Sequence, residues 1–185
     1  MYGKFLEVGS DKKIQIGEMS TTLTWLMTPI GLLIDEATIS GGPLDIQIND
    51  LEKSHGDMKF EAIIKNKSLA VFLEKLQPGG LHSFVVNVQP DGIHIDAVKT
   101  VLVPIPATAH AILKLNEEES VSVELLSAEA FGAALKNMVA NQIEQLNPIV
   151  KTDMFPFPVQ FKEIIHEEGQ VRLVGEAQLS ETNEE

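Results

Sequence analysis

The sequence predicts one soluble α+β domain in which antiparallel sheet predominates and two amphipathic helices pack against it. Apolar residues recur at spacings of three and four in residues 68–77 and 127–146, which is typical of helices with one apolar face. Between these segments, apolar and polar residues alternate and tight turns separate the runs, which favours antiparallel strands over parallel strands with crossovers. We assign residues 1–179 to the domain and expect the polar residues 180–185 to fray.

The first third of the chain is predicted to form a β meander. Strands are expected at residues 12–16, 34–39, 44–48 and 58–64, because residues that favour turns separate these runs. The apolar stretch 23–34 is too short to cross a bilayer as a helix. We expect it to be a buried strand pair, with a groove rim or a membrane-touching edge as the alternative.

The middle of the chain begins with the first helix, for which Ser68 is the expected N-cap. A hairpin follows, and its turn contains Asp91 and Gly92. Residues 98–105 are apolar at both alternations, which predicts a strand covered on both faces. Pro104 and Pro106 cannot donate ladder hydrogen bonds, so an edge, a bulge or a sharp bend is expected there.

The last third contains the strongest helical pattern, with Ser127 as the expected N-cap. Asn147 and Pro148 end this helix. A second hairpin is predicted from strands at residues 159–165 and 171–179, which are joined by a turn that contains glycine.

Composition restricts the partners that the chain can have. The 185 residues include 14 Lys plus Arg against 27 Asp plus Glu, giving a net charge of −13 and no cysteine. Such a charge repels the phosphate backbone, so nucleic acid is not an expected partner. Residues 1–10 have no signal-peptide pattern, and a cytoplasmic location is the default expectation. Contact with a membrane surface and the oligomeric state stay open.

No residue pattern predicts catalysis, a cofactor or a metal. The closest two of the five histidines are twelve residues apart, so no pair has the spacing of metal ligands on a helix. Phosphate-binding glycine loops and the G-x-S-x-G nucleophile motif are absent. The clustered carboxylates lie beside predicted turns, where solvent surrounds them. We therefore expect a non-enzymatic protein, with a hydrolase that uses a carboxylate site as the third alternative.

Three segments carry a resemblance to a known family: GDMKFEAIIKNKSLAVFLEKL, FVVNVQPDGIHIDA and QLNPIVKTDMFPFPVQFKEIIHEEGQVRLVGEA. Together with the hydrophobic and turn pattern of residues 46–179, they resemble the bacterial LmeA-like domains of the TULIP (tubular lipid-binding) superfamily. The resemblance implies a strongly bent antiparallel sheet wrapped on two amphipathic helices. It also implies an apolar groove between sheet and helix that accepts acyl chains.

The function predicted from these observations is binding of a lipid or another hydrophobic molecule. Apolar side chains exceed what a sheet with one covered face needs, and burial of each ligand methylene is worth ~0.8 kcal/mol. The alternative is a protein-interaction or scaffold domain with a solid core, in which the same stripes are ordinary packing. The candidate groove lining consists of Leu69, Phe72, Val101, Val103, Phe131, Leu135, Met138 and Ile143.

Overall fold

The computed structural model describes residues 5–6, 13–47, 58–100, 102–116, 119–129, 132–155 and 158–177. Within these residues, the predicted α+β class with mostly antiparallel sheet and two helices is confirmed. The helices are α1 (Asn66–Leu76) and α2 (Gly132–Leu146). The strands are β1 (Phe5–Leu6), β2 (Lys13–Ile16), β3 (Met19–Met27), β4 (Leu33–Gly41), β5 (Leu44–Gln47), β6 (Met58–Lys65), β7 (Leu81–Gln89), β8 (Gly92–Thr100), β9 (Pro104–Leu115), β10 (Val121–Glu129), β11 (Val159–Glu167) and β12 (Gln170–Ala177).

The strands form two larger sheets and one small sheet. The five-stranded sheet has the order β11-β12-β6-β4-β3, and the four-stranded sheet has the order β10-β9-β8-β7. Strands β1, β2 and β5 form the small sheet. All strand pairs are antiparallel in the described part of the chain. Neither described helix is long and apolar enough to cross a membrane.

The main core lies on one face of the five-stranded sheet. Strand β6 alternates strictly, so that Met58, Phe60, Ala62 and Ile64 are buried. Helix α1 covers part of this face and also contacts β7 of the other sheet. The hydrophobic cluster therefore extends from one sheet to the other, with α1 between them.

Helix α1 begins two residues before the predicted cap. Ser68 lies inside the helix and is buried, whereas Lys65 has the extended backbone of the N-cap. The neighbouring Asn66 fixes the start of the helix, because its side-chain oxygen accepts a 2.9 Å hydrogen bond from the backbone N–H of Val88. The prediction of Ser68 as N-cap is wrong, because the contact of Asn66, the residue directly after β6, with Val88 on β7 determines where the helix begins.

The predicted cap of α2 is also wrong. Ser127 lies in β10, which continues to Glu129, and the described part of α2 begins at Gly132. A register shift between Leu125 and Ser127 lets β10 go on pairing with β9. The backbone groups of Ser127 therefore belong to the sheet.

Residues 98–105 do not form one doubly covered strand. Leu102 is 95% exposed and Val103 is 62% exposed, in a bend between β8 and β9. Pro104 is the first residue of β9 and pairs with Thr100, so the prolines mark a sharp bend before an interior strand. The stretch 23–34 does form part of a strand pair, but β3 is the outer strand of its sheet and is largely exposed.

Candidate functional site

An apolar cavity lies between the inner face of the four-stranded sheet and the two helices. Strands β7 to β10, both helices and the turn after α1 contribute to its wall. The lining residues are Phe72, Leu73, Leu76, Pro78, Leu81, Phe84, Ile95, Ala97, Ala107, Thr108, Ala109, Ala111, Val123, Leu125, Ala128, Glu129, Val139, Ile143, Leu146 and Ile149.

Small side chains on neighbouring strands create this space. Ala97 pairs with Ala107 across β8 and β9, and Ala109 pairs with Ala128 across β9 and β10. Residues paired on one face of a sheet have Cβ atoms only about 5 Å apart, so alanines at these positions leave a shared depression. Further along β9, the larger and buried Leu113 belongs to the main core instead. Along β9, the alanines therefore border the cavity, and Leu113 belongs to the core.

The cavity is large enough for a hydrocarbon segment. Its volume, counted as the space open to the centre of a water-sized sphere, is about 110 Å³. A single water needs roughly 10–15 Å³ on this measure, and an engineered apolar cavity of roughly 150 Å³ stays dry and binds benzene. The wall offers few polar groups to ordered water, so an apolar occupant fits it better.

The cavity reaches the surface near the end of β10, where its pairing with β9 stops. Thr108 and Glu129 pair directly across these strands, and both are exposed as well as part of the lining. Glu129 is the charged residue among the described residues of the lining. This end therefore combines an apolar interior with a polar rim, which is the usual character of a small-molecule site.

A polar link holds α2 next to the end of α1. The backbone N–H of Gly79 donates a 2.5 Å hydrogen bond to the side-chain oxygen of Gln142. The carbonyl oxygen of Gly79 accepts a hydrogen bond from the ammonium group of Lys99 on β8. These bonds join both walls of the cavity to the turn between them.

Of the eight residues predicted to line a groove, four have described side chains, and the structure brings two of these four together. Phe72 and Ile143 line the cavity. Leu69 is buried in the main core, and Val103 is exposed in the bend between β8 and β9. Val101 and Phe131 lie outside the described residues. Leu135 and Met138 belong to α2, but their side chains are outside the described part.

Sequence reasoning missed the alanines of the sheet. They occur as a period-two pattern, Ala107, Ala109 and Ala111, and each has a place in the lining. Alternating small residues in a predicted strand are a signal for space above the sheet. A pattern of large apolar residues does not contain this signal.

On the outer face of the same sheet, the fold gathers three polar side chains that sequence spacing kept apart. Asp91, His94 and His110 each place one potential ligand atom within 4.8 Å of the others. A hydrogen bond from His94 lowers the pKa of the Asp91 carboxyl, which is exposed. The register of β8 and β9 pairs His94 with His110, and spacing along the sequence alone does not show this pairing.

A further histidine has a shifted titration. Burial, and then the nearby His110, lower the pKa of His166. Its Nε2 atom accepts a 3.1 Å hydrogen bond from the backbone N–H of Leu113. The neutral ring is thus the form that fits this position, because protonation would remove the acceptor.

Comparison of this chain with protein-family models, with curated proteins and with solved structures finds no match.

Proposed function

We propose that the protein binds a lipid, or another molecule with a hydrocarbon chain, in the cavity between the four-stranded sheet and the helices, without catalysing a reaction. The observation that carries the proposal is the almost wholly apolar wall that the alanines of β8, β9 and β10 leave open. The resemblance to LmeA-like domains of the TULIP superfamily points to the same class of ligand. The proposal includes the groove that this resemblance implies, in which a bent sheet wraps around the helices.

The energetics favour a chain-like apolar ligand. Each methylene transferred from water into the cavity contributes ~0.8 kcal/mol, so a short run of methylenes offsets much of the cost of immobilising the ligand. The exposed Glu129 at the rim would repel an anionic headgroup that lies close to it. We therefore propose that the apolar part of the ligand lies inside and that its polar part remains in solvent.

Two measurements test this function. Native mass spectrometry of the chain purified from cells should show a bound lipid, and the delipidated chain should take up a fluorescent long-chain fatty acid. Ala109→Leu places new bulk in the cavity wall and should weaken uptake of the probe at least tenfold. Val71→Ala is the matched control, because Val71 is 59% exposed on α1 and is not part of the lining.

The scaffold alternative gives the opposite results. A scaffold domain would carry no lipid and would take up no probe. Uptake that Ala109→Leu leaves unchanged, but that Val71→Ala reduces, would place the probe on the outer surface and contradict the proposal.

A further inference from the structure

Two histidines face each other across neighbouring strands on the outer face of the four-stranded sheet. His94 on β8 pairs directly with His110 on β9. Their rings are stacked, with centroids 4.4 Å apart and an angle of 10° between the ring planes. Their neighbours along the strands, including Ile95 and Ala109, line the cavity on the inner face. The histidine pair and the cavity thus occupy opposite faces of the same strands.

The turn before β8 directs both rings toward one residue. The Nε2 atom of His94 lies 3.0 Å from a carboxylate oxygen of Asp91. The Nε2 atom of His110 lies 3.0 Å from the backbone oxygen of Asp91. The Nε2 atoms of both imidazoles therefore lie next to Asp91, which offers one side-chain and one backbone oxygen.

Gly92 makes room for this convergence. Its φ is +137°, and a Cβ atom there would lie 2.7 Å from the Nε2 atom of His110. A side chain at this position would displace the His110 ring from the turn. The glycine thus serves the close approach of the ring as well as the backbone conformation of the turn.

We propose that Asp91, His94 and His110 form a site for one divalent transition-metal ion, with Zn²⁺ as the ion that fits best. Two imidazole nitrogens and one carboxylate oxygen are a donor set that Zn²⁺ takes in proteins, with water as the fourth ligand. The acidic chain, with a net charge of −13, also raises the local concentration of cations. This site is separate from the cavity and does not depend on the proposed lipid function.

The fit requires the two rings to tilt out of their stack, because the lone pair of each nitrogen lies in its ring plane and the two planes are nearly parallel. Tetrahedral Zn²⁺ with bonds of about 2.0–2.2 Å places its ligand atoms about 3.3–3.6 Å apart. The three side chains offer atoms that lie within 4.8 Å of one another. All three side chains are at least partly exposed, so rotation about their χ angles can shorten these distances without disturbing the core. Binding requires that each Nε2 atom releases its proton, and the ring then keeps its proton on Nδ1.

The test is a calorimetric titration of the metal-free full chain with ZnCl₂ near neutral pH. We expect one Zn²⁺ per chain. His94→Gln, His110→Gln and Asp91→Asn should each weaken binding at least tenfold. His82→Gln is the matched control, because His82 lies on β7 and contacts Ser83 and Thr100 instead. Titration with Co²⁺ adds a spectroscopic measure, since visible absorption bands of high intensity report tetrahedral coordination.

Two outcomes overturn the proposal. One is the absence of stoichiometric heat with the wild-type chain, in which case the three side chains only stabilise the turn by hydrogen bonds. The other is binding that His82→Gln weakens as much as His110→Gln does, which would place the ion elsewhere. Circular dichroism of each variant checks that it is folded, so that a loss of binding reports the site.

Discussion

The side-chain oxygen of Gln142 in α2 accepts a 2.5 Å hydrogen bond from the backbone N–H of Gly79. Gly79 is buried, so loss of this acceptor leaves a buried donor without a partner, at a cost of about 1–3 kcal/mol. We expect Gln142→Leu to lower the free energy of unfolding by that amount in urea titrations. Gln145→Leu changes an exposed glutamine of the same helix and should have an effect below about 0.5 kcal/mol. Equal effects of the two substitutions would show that the bond to Gly79 does not stabilise the fold.

Replacement of alanine by leucine should affect stability differently at two positions, one in each of the larger sheets. Ala62 on β6 is fully buried in the main core, so Ala62→Leu should destabilise the protein by about 1–3 kcal/mol through overpacking. Ala109 is only half-buried and faces the cavity, so the new side chain of Ala109→Leu has room. We expect its melting temperature to stay within about 2 °C of the wild-type value. A large loss of stability in both variants would mean that the cavity is filled by side chains in solution.

Stability should fall between neutral and mildly acidic pH because of His166. Its pKa is lowered in the folded state, so the unfolded chain binds a proton first as the pH falls through about 6.5. The contribution of His166 to the free energy of unfolding is therefore greatest above that pH. It decreases as the pH falls from there to the lower pKa of the folded state. In His166→Gln, the side-chain amide oxygen can accept the hydrogen bond from the backbone N–H of Leu113, and the side chain at this position no longer titrates. Urea titrations at pH 7.5, 6.5 and 5.5 should give a smaller decrease for the variant, and an equal decrease would refute the assignment.

Gly175 is needed for close packing in the five-stranded sheet. It pairs with Phe60 on β6 and Phe161 on β11, whose rings contact each other with centroids 5.9 Å apart. A Cβ atom at Gly175 would overlap the backbone oxygen of Gln160. We expect Gly175→Ala to cost about 1–3 kcal/mol or more of unfolding free energy, because the backbone of β11 has to move.

The control for Gly175 is Gly17. Apart from its chain neighbours, no described residue has an atom within 4 Å of the position that a Cβ atom would take there, so Gly17→Ala should change stability by less than about 0.5 kcal/mol. A thermal melt of both variants decides the question. If Gly175→Ala melts with the wild type, β11 and β12 lie further apart than the structure has them.

Local patterns were sufficient to predict the fold class. Alternation and turn residues predicted the hairpin at Asp91 and Gly92, and strands β7 and β8 extend it by a few residues at each end. The predicted starts of both helices were wrong, because Ser68 lies inside α1 and Ser127 lies inside β10. Pairing with a neighbouring strand decided both boundaries, and one sequence does not show which strands pair.

The sites depend on strand pairing to a greater extent. Phe72 and Ile143 were predicted from helical faces, since an apolar helical stripe points toward whatever the helix covers. Ala109 and its neighbours carry little apolar signal individually, and only the register across three strands makes them a cavity wall. His94 and His110 are sixteen residues apart in sequence, and they meet because the bend at Leu102 reverses the chain.

Strand β3 has consequences for how copies of this protein behave toward one another. It has a paired neighbour on one side only, within the described residues, and none of the nine residues from Met19 to Met27 is charged. Trp25 and Met27 are 77% and 63% exposed along it. An uncharged outer strand can add a further strand by backbone hydrogen bonds, which is a route to association of identical chains. Repulsion between copies that each carry a charge of −13 opposes this, and salt weakens that repulsion. We therefore expect the solubility of this protein to fall as ionic strength rises, with the outer strand as the point of first contact.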